Sequence, residues 1–207
     1  MKVGELEIVQ IAAGEMANFA YLIHHPASRL GLAVDPSFEP QRLLDEIRRR
    51  QVALRWLVNT HGHRDHVAGN QVVLQATGAL LAAHPLAVPG ADVALEEGMV
   101  LHLDEVPVTV LHTPGHTPGD LVLNPPGALL TGDTLFVTHV GRADLPGSDA
   151  EALYASLQRL AAFPADTLVF PGHDYGPMPV SSIAFEREHN PYLRCPDLAS
   201  FLRLRLG

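Results

Sequence analysis

Lysine is nearly absent from this chain. Of 14 basic residues all but Lys2 are arginine, acidic residues number 23, and the formal net charge is −9. Such a surface has little with which to neutralise phosphates, which argues against a nucleic-acid-binding role. Cysteine is equally scarce. Cys195 has no second cysteine to pair with, so a disulfide framework is excluded and a reducing compartment is expected. No apolar run approaches the roughly 20 residues that span a bilayer. The N-terminal MKVGELEIVQ places Glu5 and Glu7 where a signal peptide needs unbroken apolarity. A cytoplasmic protein with no membrane partner is the expectation. The glycine-rich dinucleotide fingerprint is missing as well.

What the chain does have is apolar sequence and histidine. Hydrophobic residues make up 47% of 207, charged residues 18%, and there are 12 histidines. That composition supports one sizeable core, and residues 1–207 read as one domain. LEIVQIAA, FAYLIHH and LGLAVDP read as strands. PQRLLDEIRRR reads as a helix opening on Pro40 in its first turn. ALRWLVNT reads as a buried strand, AGNQVVLQAT as a helix and GALLAA as another strand. VPVTVLHTPGH is a strand ending at Pro114–Gly115. DLVLNPPGALLTGD is a hairpin turning at Asn124 to Gly127. AEALYASLQRLAAF is an amphipathic helix with Asp149 at its start, TLVFPGH a buried strand, and PDLASFLRLRL a closing helix. Strands and helices interspersed in both halves predict two sheets covered by helices.

One pattern recurs four times. RWLVNTHGH, VTVLHTPGH, ALLTGD and TLVFPGH each run from apolar residues through a turn to His or Asp. Buried strands ending at one edge would bring His61, His63, Asp65, His66, His116, Asp133 and His173 together, and loops on rigid strands are where functional groups are usually carried. Five imidazoles and two carboxylates suit zinc, iron or manganese. Seven such groups exceed what one zinc ion needs and fit two divalent ions bridged by a carboxylate, with Asp133 the best candidate for the bridge. His61 and His63, alternate residues, can face one ion while Asp65 and His66 turn to the next. His112 lies four residues before His116, but Pro114 and Gly115 make a helix there implausible, and it reads as structural or as an outer support of the ligands.

THGHRDH resembles the H-x-H-x-D-H signature of the metallo-β-lactamase fold superfamily, and PGH, TGD and PGH succeed it in that superfamily's order. The resemblance implies an αββα four-layer sandwich with metals at one edge. It assigns His61, His63 and His116 to one ion, Asp65, His66 and His173 to the other, and Asp133 to both. TGDTLF, Gly141–Arg142 and GHDYG are similar to the glyoxalase II and persulfide dioxygenase branch, whose members act on glutathione thioesters or glutathione persulfide. Tyr175 matches a tyrosine that touches glutathione. Glyoxalase II proper has a longer helical domain with lysine contacts to glutathione, and this chain resembles the shorter hydrolases of the branch.

The expected activity is thioester hydrolysis. A water shared by two ions has its pKa lowered to near 7, one ion stabilises the oxyanion, and a thiolate leaves without a protonating side chain because thiols ionise near pH 8.5. Asp65 would orient the attacking water. In the rival reading His61, His116 and Asp133 form a two-histidine, one-carboxylate triad for a single iron, as in the persulfide dioxygenases. A non-catalytic metal-binding module would instead need a closed site. The expected partner is a small thiol conjugate, glutathione-like. Arg142 reads as an ion-paired arginine under the site floor, with Asp144 its partner, and secondarily as a substrate contact. Tyr175 reads as a substrate donor or a packed aromatic. His24, His25, His84, His102, His139 and His189 read as surface or core residues, and Cys195 as inert. The closing helix, with Phe201, Leu202 and Leu204, could pack on its own domain or form a homodimer contact.

Overall fold

A computed structural model describes residues Met1–Gly207. The first half builds a seven-stranded sheet from β1 (Lys2–Val3), β2 (Leu6–Ala12), β3 (Phe19–His24), β4 (Leu30–Val34), β5 (Ala53–Asn59), β6 (Leu80–Ala83) and β7 (Val93–Ala94). These strands lie side by side in chain order. Tight turns make β1 to β4 antiparallel. Crossovers make β4 to β7 parallel, and the first two run through helices α1 (Pro40–Arg50), α2 (Arg64–Val67) and α3 (Asn70–Thr77).

The second half builds a six-stranded sheet. It contains β8 (Val100–Leu103), β9 (Val106–His112), β10 (Leu121–Asn124), β11 (Ala128–Gly132), β14 (Leu168–Pro171) and β15 (Ser181–Ser182). A small hairpin, β12 (Leu135–Phe136) and β13 (His139–Val140), stands apart from it. Helices α4 (Ala150–Ala161), α5 (Ile183–His189) and α6 (Leu198–Leu206) complete the chain.

Period-two alternation decides which side chain enters which core. In β3, Tyr21 and Ile23 face the second sheet while Ala20 and Leu22 face α1 and α3. In β10, Leu121 and Leu123 face the first sheet while Val122 faces α4. The inter-sheet core holds 22 buried residues, and two outer cores lie under the helices. This is the expected four-layer α-β-β-α order. Strands covered on both faces carry continuous apolar runs. β5 departs from its expected burial at its start, where Ala53 and Arg55 are exposed and the Arg55 guanidinium lies 4.5 Å above the Trp56 ring.

Helix ends obey local chemistry. Asp149 caps α4 by accepting from the Glu151 and Ala152 amides, and Leu153, Leu157 and Leu160 form its buried stripe. No helix is long and apolar enough to cross a membrane. Phe170, from β14, is fully buried between the sheets and meets Tyr21 edge-on at 5.9 Å. Phe170→Ala is expected to cost about 3–5 kcal/mol, read as a lower denaturant midpoint with an unchanged slope.

Candidate metal centre

β9, β11 and β14 point the same way, and β4 and β5 run parallel. All five end at one edge of the sandwich. There Leu121 N–H donates to the Thr60 carbonyl and Phe19 N–H to the Gly172 carbonyl, each at 2.8 Å, so loops from both sheets are pinned together. The two PGH glycines are required by space. Gly115 (φ +146°) lies against the Leu153 backbone, and a Cβ on Gly172 would sit 2.5 Å from Asp133 Oδ1.

The seven predicted side chains meet at this edge. His61, His63 and His116 form one group and Asp65, His66 and His173 a second, the donor atoms in each lying within 4.8 Å of one another. Asp133 stands between them. Its Oδ2 is 3.5 Å from His116 Nε2 and 3.4 Å from His173 Nε2, and its Oδ1 is 3.3 Å from His66 Nε2.

Outer hydrogen bonds fix the imidazole tautomers. His116 Nδ1 donates to the Arg142 carbonyl and His173 Nδ1 to the Met16 carbonyl, both at 2.9 Å. His66 Nδ1 donates to Asp35 Oδ2 at 3.0 Å. The Thr60 hydroxyl donates to Asp35 at 2.6 Å and therefore accepts from His61 Nδ1 at 3.1 Å. Each of these four rings is left with Nε2 turned inward. His63 is reversed, its Nδ1 lying 3.1 Å from His61 Nε2 and 3.0 Å from His116 Nε2. His66 Nε2 and His173 Nε2 are 3.2 Å apart. Converging lone pairs at such distances call for a cation between them. Asp133 Oδ1, fully buried without a well-formed hydrogen bond, makes the same demand. This donor set, nitrogen and oxygen without thiolate, fits divalent zinc, iron or manganese.

Without metal, protons take that role. Burial works against the charged forms throughout, but at His173, His66, Asp133 and Asp65 the neighbouring groups outweigh it. Contacts with Asp133 and Asp65 lift His173 to about 9, and Asp133 and Asp35 raise His66 well above the usual imidazole range. Asp133 is held far below the carboxylate range by His66 and His61, and Asp65 by His173 and His66. Burial dominates at His61 and lowers it. Burial also pushes the Asp120 carboxyl, bonded to Thr117, up to about 7.

A cavity of about 360 Å³ opens on the centre from the side of His63, Asp65, His116, Asp133 and His173. Met16, Phe136, Val140 and Leu145 form its apolar wall. Tyr175 is about half exposed and stacks on His173, ring centroids 4.6 Å apart. Both sequence readings of this tyrosine, packed aromatic and cavity-facing group, therefore have a physical basis. Arg142 departs from its expected place under the floor: its side chain is 61% exposed at the cavity rim, paired with Asp144 as expected. The residue reaches the centre through its backbone, which carries the acceptor for His116. His139 also lines the cavity rather than lying unattached to the site. His112 stacks on His84 and bonds the Pro118 carbonyl, outside the cluster.

Two orienting residues escaped the sequence reading. Asp35 accepts from the Thr60 amide, the Thr60 hydroxyl and His66. Its two oxygens are saturated, so it acts from behind the donors. Asn18 holds Asp65 Oδ2 at 2.9 Å. Asp35 did share the pattern of Asp133, since GLAVD is an apolar strand ending in aspartate. No comparable run precedes Asn18.

Removing Asp35 (Asp35→Ala) is expected to weaken metal binding about 10–100-fold, measured by competition with a chromogenic chelator. Zinc added to the metal-free protein at pH 7.5 is expected to release protons, that of His173 among them, as read by calorimetry in buffers of different ionisation enthalpy. The same protons link stability to pH. Protonated His173 stabilises the metal-free fold fully below its ordinary 6.5. That contribution is lost as pH rises through about 9, whereas zinc-loaded protein lacks this loss.

A family profile described as the metallo-beta-lactamase superfamily matches residues 14–173. A hydroxyacylglutathione hydrolase of Methylococcus capsulatus is 40% identical over 175 residues, 82% of this chain and 67% of that protein. The mitochondrial persulfide dioxygenase ETHE1 of Homo sapiens is 33% identical, covering 85% of this chain and 71% of the relative. The crystal structure of ETHE1 from Myxococcus xanthus superposes with a TM-score of 0.91 at 31% identity, over 97% of this chain and 90% of that one. The chain spans about two thirds of the length of most hydroxyacylglutathione hydrolases it matches, and 87% of the one from Maricaulis maris. Sequence, layer order and the histidines at the sandwich edge agree, and the chain belongs to the metallo-beta-lactamase superfamily.

Proposed function

We propose that the protein is a glyoxalase II-like hydrolase that cleaves hydroxyacylglutathione or a related thioester. One observation carries this reading: the second donor group is built as carefully as the first. Asp35 orients His66, the Met16 carbonyl orients His173, and Asn18 orients Asp65. Such outer bonds belong to working ligands. The 40% identity to hydroxyacylglutathione hydrolase supports the same choice.

In this proposal His61, His63 and His116 would hold one ion, Asp65, His66 and His173 the other, and Asp133 would serve both. Such ions, when bound, would supply Lewis acidity and lower the pKa of water toward neutrality. Asp65, its Oδ2 pinned by Asn18, orients the attacking water by accepting a hydrogen bond at Oδ1. Met16, Phe136 and Leu145 exclude bulk water from the acyl group. Tyr175, whose ring meets Phe136 of that wall, donates to the thiol carrier, and Arg142 at the rim receives a carboxylate of the substrate. A thiolate departs unaided, since thiols ionise near pH 8.5, so the site needs no further acid.

A second reading, a single-iron persulfide dioxygenase using His61, His116 and Asp133, is favoured by the superposition on ETHE1 over 90% of that chain. Asp65→Ala separates the two. The hydrolase is expected to lose lactoylglutathione cleavage by about a hundredfold or more. A dioxygenase would keep its iron and its oxygen uptake with glutathione persulfide. Retained thioester cleavage in this variant would contradict the hydrolase proposal.

A further inference from the structure

Glu186 has no part in the chemistry above, yet its carboxyl is completely buried. Oε2 accepts from Thr138 N–H and Asn190 Nδ2, each at 2.9 Å, and Oε1 accepts from the Ser181 hydroxyl at 2.6 Å. All three donors are neutral. A buried carboxyl without a cationic partner is costly even when hydrogen-bonded, so its placement calls for a reason.

The reason lies at Thr138. This residue forms the turn between β12 and β13 with φ 62°, a left-handed backbone that a β-branched residue adopts only under constraint. Glu186 holds the amide of that strained residue, and Asn190 Nδ2 also donates to the His139 carbonyl at 3.1 Å. On the other side Val137 packs on Gly176, where a Cβ would come within 2.5 Å of it. The turn is thus gripped from two sides. Phe136 and His139, which flank it, line the cavity. Phe136 meets the His173 ring edge-on at 5.7 Å and the Tyr175 ring at 5.3 Å.

We propose that Glu186 is a positioning residue: by clamping the Thr138 turn it sets the wall of Phe136 and His139 that receives the substrate. This rests on the hydrolase reading only for the identity of the substrate. The clamp depends on acceptors and not on charge. In Glu186→Gln the amide oxygen can take the Thr138 and Asn190 bonds while the amide nitrogen donates to the Ser181 hydroxyl, which turns to accept.

The test uses the zinc-loaded chain of 207 residues. In Glu186→Ala, hydrogen exchange is expected to accelerate in peptides covering residues 134–142, with α4 and the inter-sheet strands unchanged and metal content intact. KM for lactoylglutathione is expected to rise about tenfold with kcat within about twofold, the mark of lost binding common to ground and transition states. Glu186→Gln should restore both. Retained protection of the turn in Glu186→Ala, a fall in kcat at unchanged KM, or a Gln variant no better than Ala would overturn the proposal. Should Glu186→Ala lose protection everywhere, Asn190→Ala cuts the clamp at one donor. Local loss at 134–142 then supports the proposal and an unchanged turn contradicts it. Wild-type protein that leaves lactoylglutathione intact counts against the hydrolase reading alone, because exchange needs no substrate.

Discussion

Imidazole nitrogens about 3 Å apart with converging lone pairs repel one another unless something positive lies between them, and three such confrontations occur at this sandwich edge. The arrangement persists because four of the five rings are held from behind. Carbonyls of Met16 and Arg142, the Asp35 carboxylate and the Thr60 hydroxyl hold four rings by Nδ1. Those acceptors are fixed in turn by strands that the three hydrophobic cores lock in register. The fold thus presses like groups together, and the strain is relieved by protons at one extreme and by divalent ions at the other. Structural and functional demands meet in the same atoms.

The seven site residues were legible in the sequence because each group comes directly after a strand, and strands that share an edge deliver their C-terminal loops to one place. Two sheets under helices were legible for a related reason: apolar runs too short for helices alternate with amphipathic segments. The allocation of each strand's two faces to different cores was not readable, because Tyr21 and Leu22 are both simply apolar in sequence although they enter different layers. Two-residue strands such as β12 and β13 carry too little alternation to be seen, and with them went the place of His139 on the cavity wall. Arg142 was misplaced because its pairing with Asp144 says nothing about depth. Glu186 was invisible for a different reason, since an acidic residue in a polar helix reads as solvated until tertiary contacts bury it.

The two activities considered for this centre differ in a physical question that ligand identity leaves open. A single ion held by His61, His116 and Asp133 would leave His66, His173 and Asp65 oriented for nothing but proton storage. Two ions use every orienting bond in the structure, including the one from buried Asn18 to Asp65, which lines the cavity. The cavity wall points the same way as a matter of shape. It sets an apolar surface opposite a polar floor, as a thioester with an acyl chain and a polar carbonyl requires.

On the proposed reading, this sandwich edge takes a pair of cations. Metal content per chain, measured by mass spectrometry on protein purified without added metal and again after saturation and desalting, tests that claim most directly. Saturation at about two divalent ions per chain is predicted. Saturation at one, with the Asp65, His66 and His173 group still free to titrate as histidine and carboxylate, would contradict it.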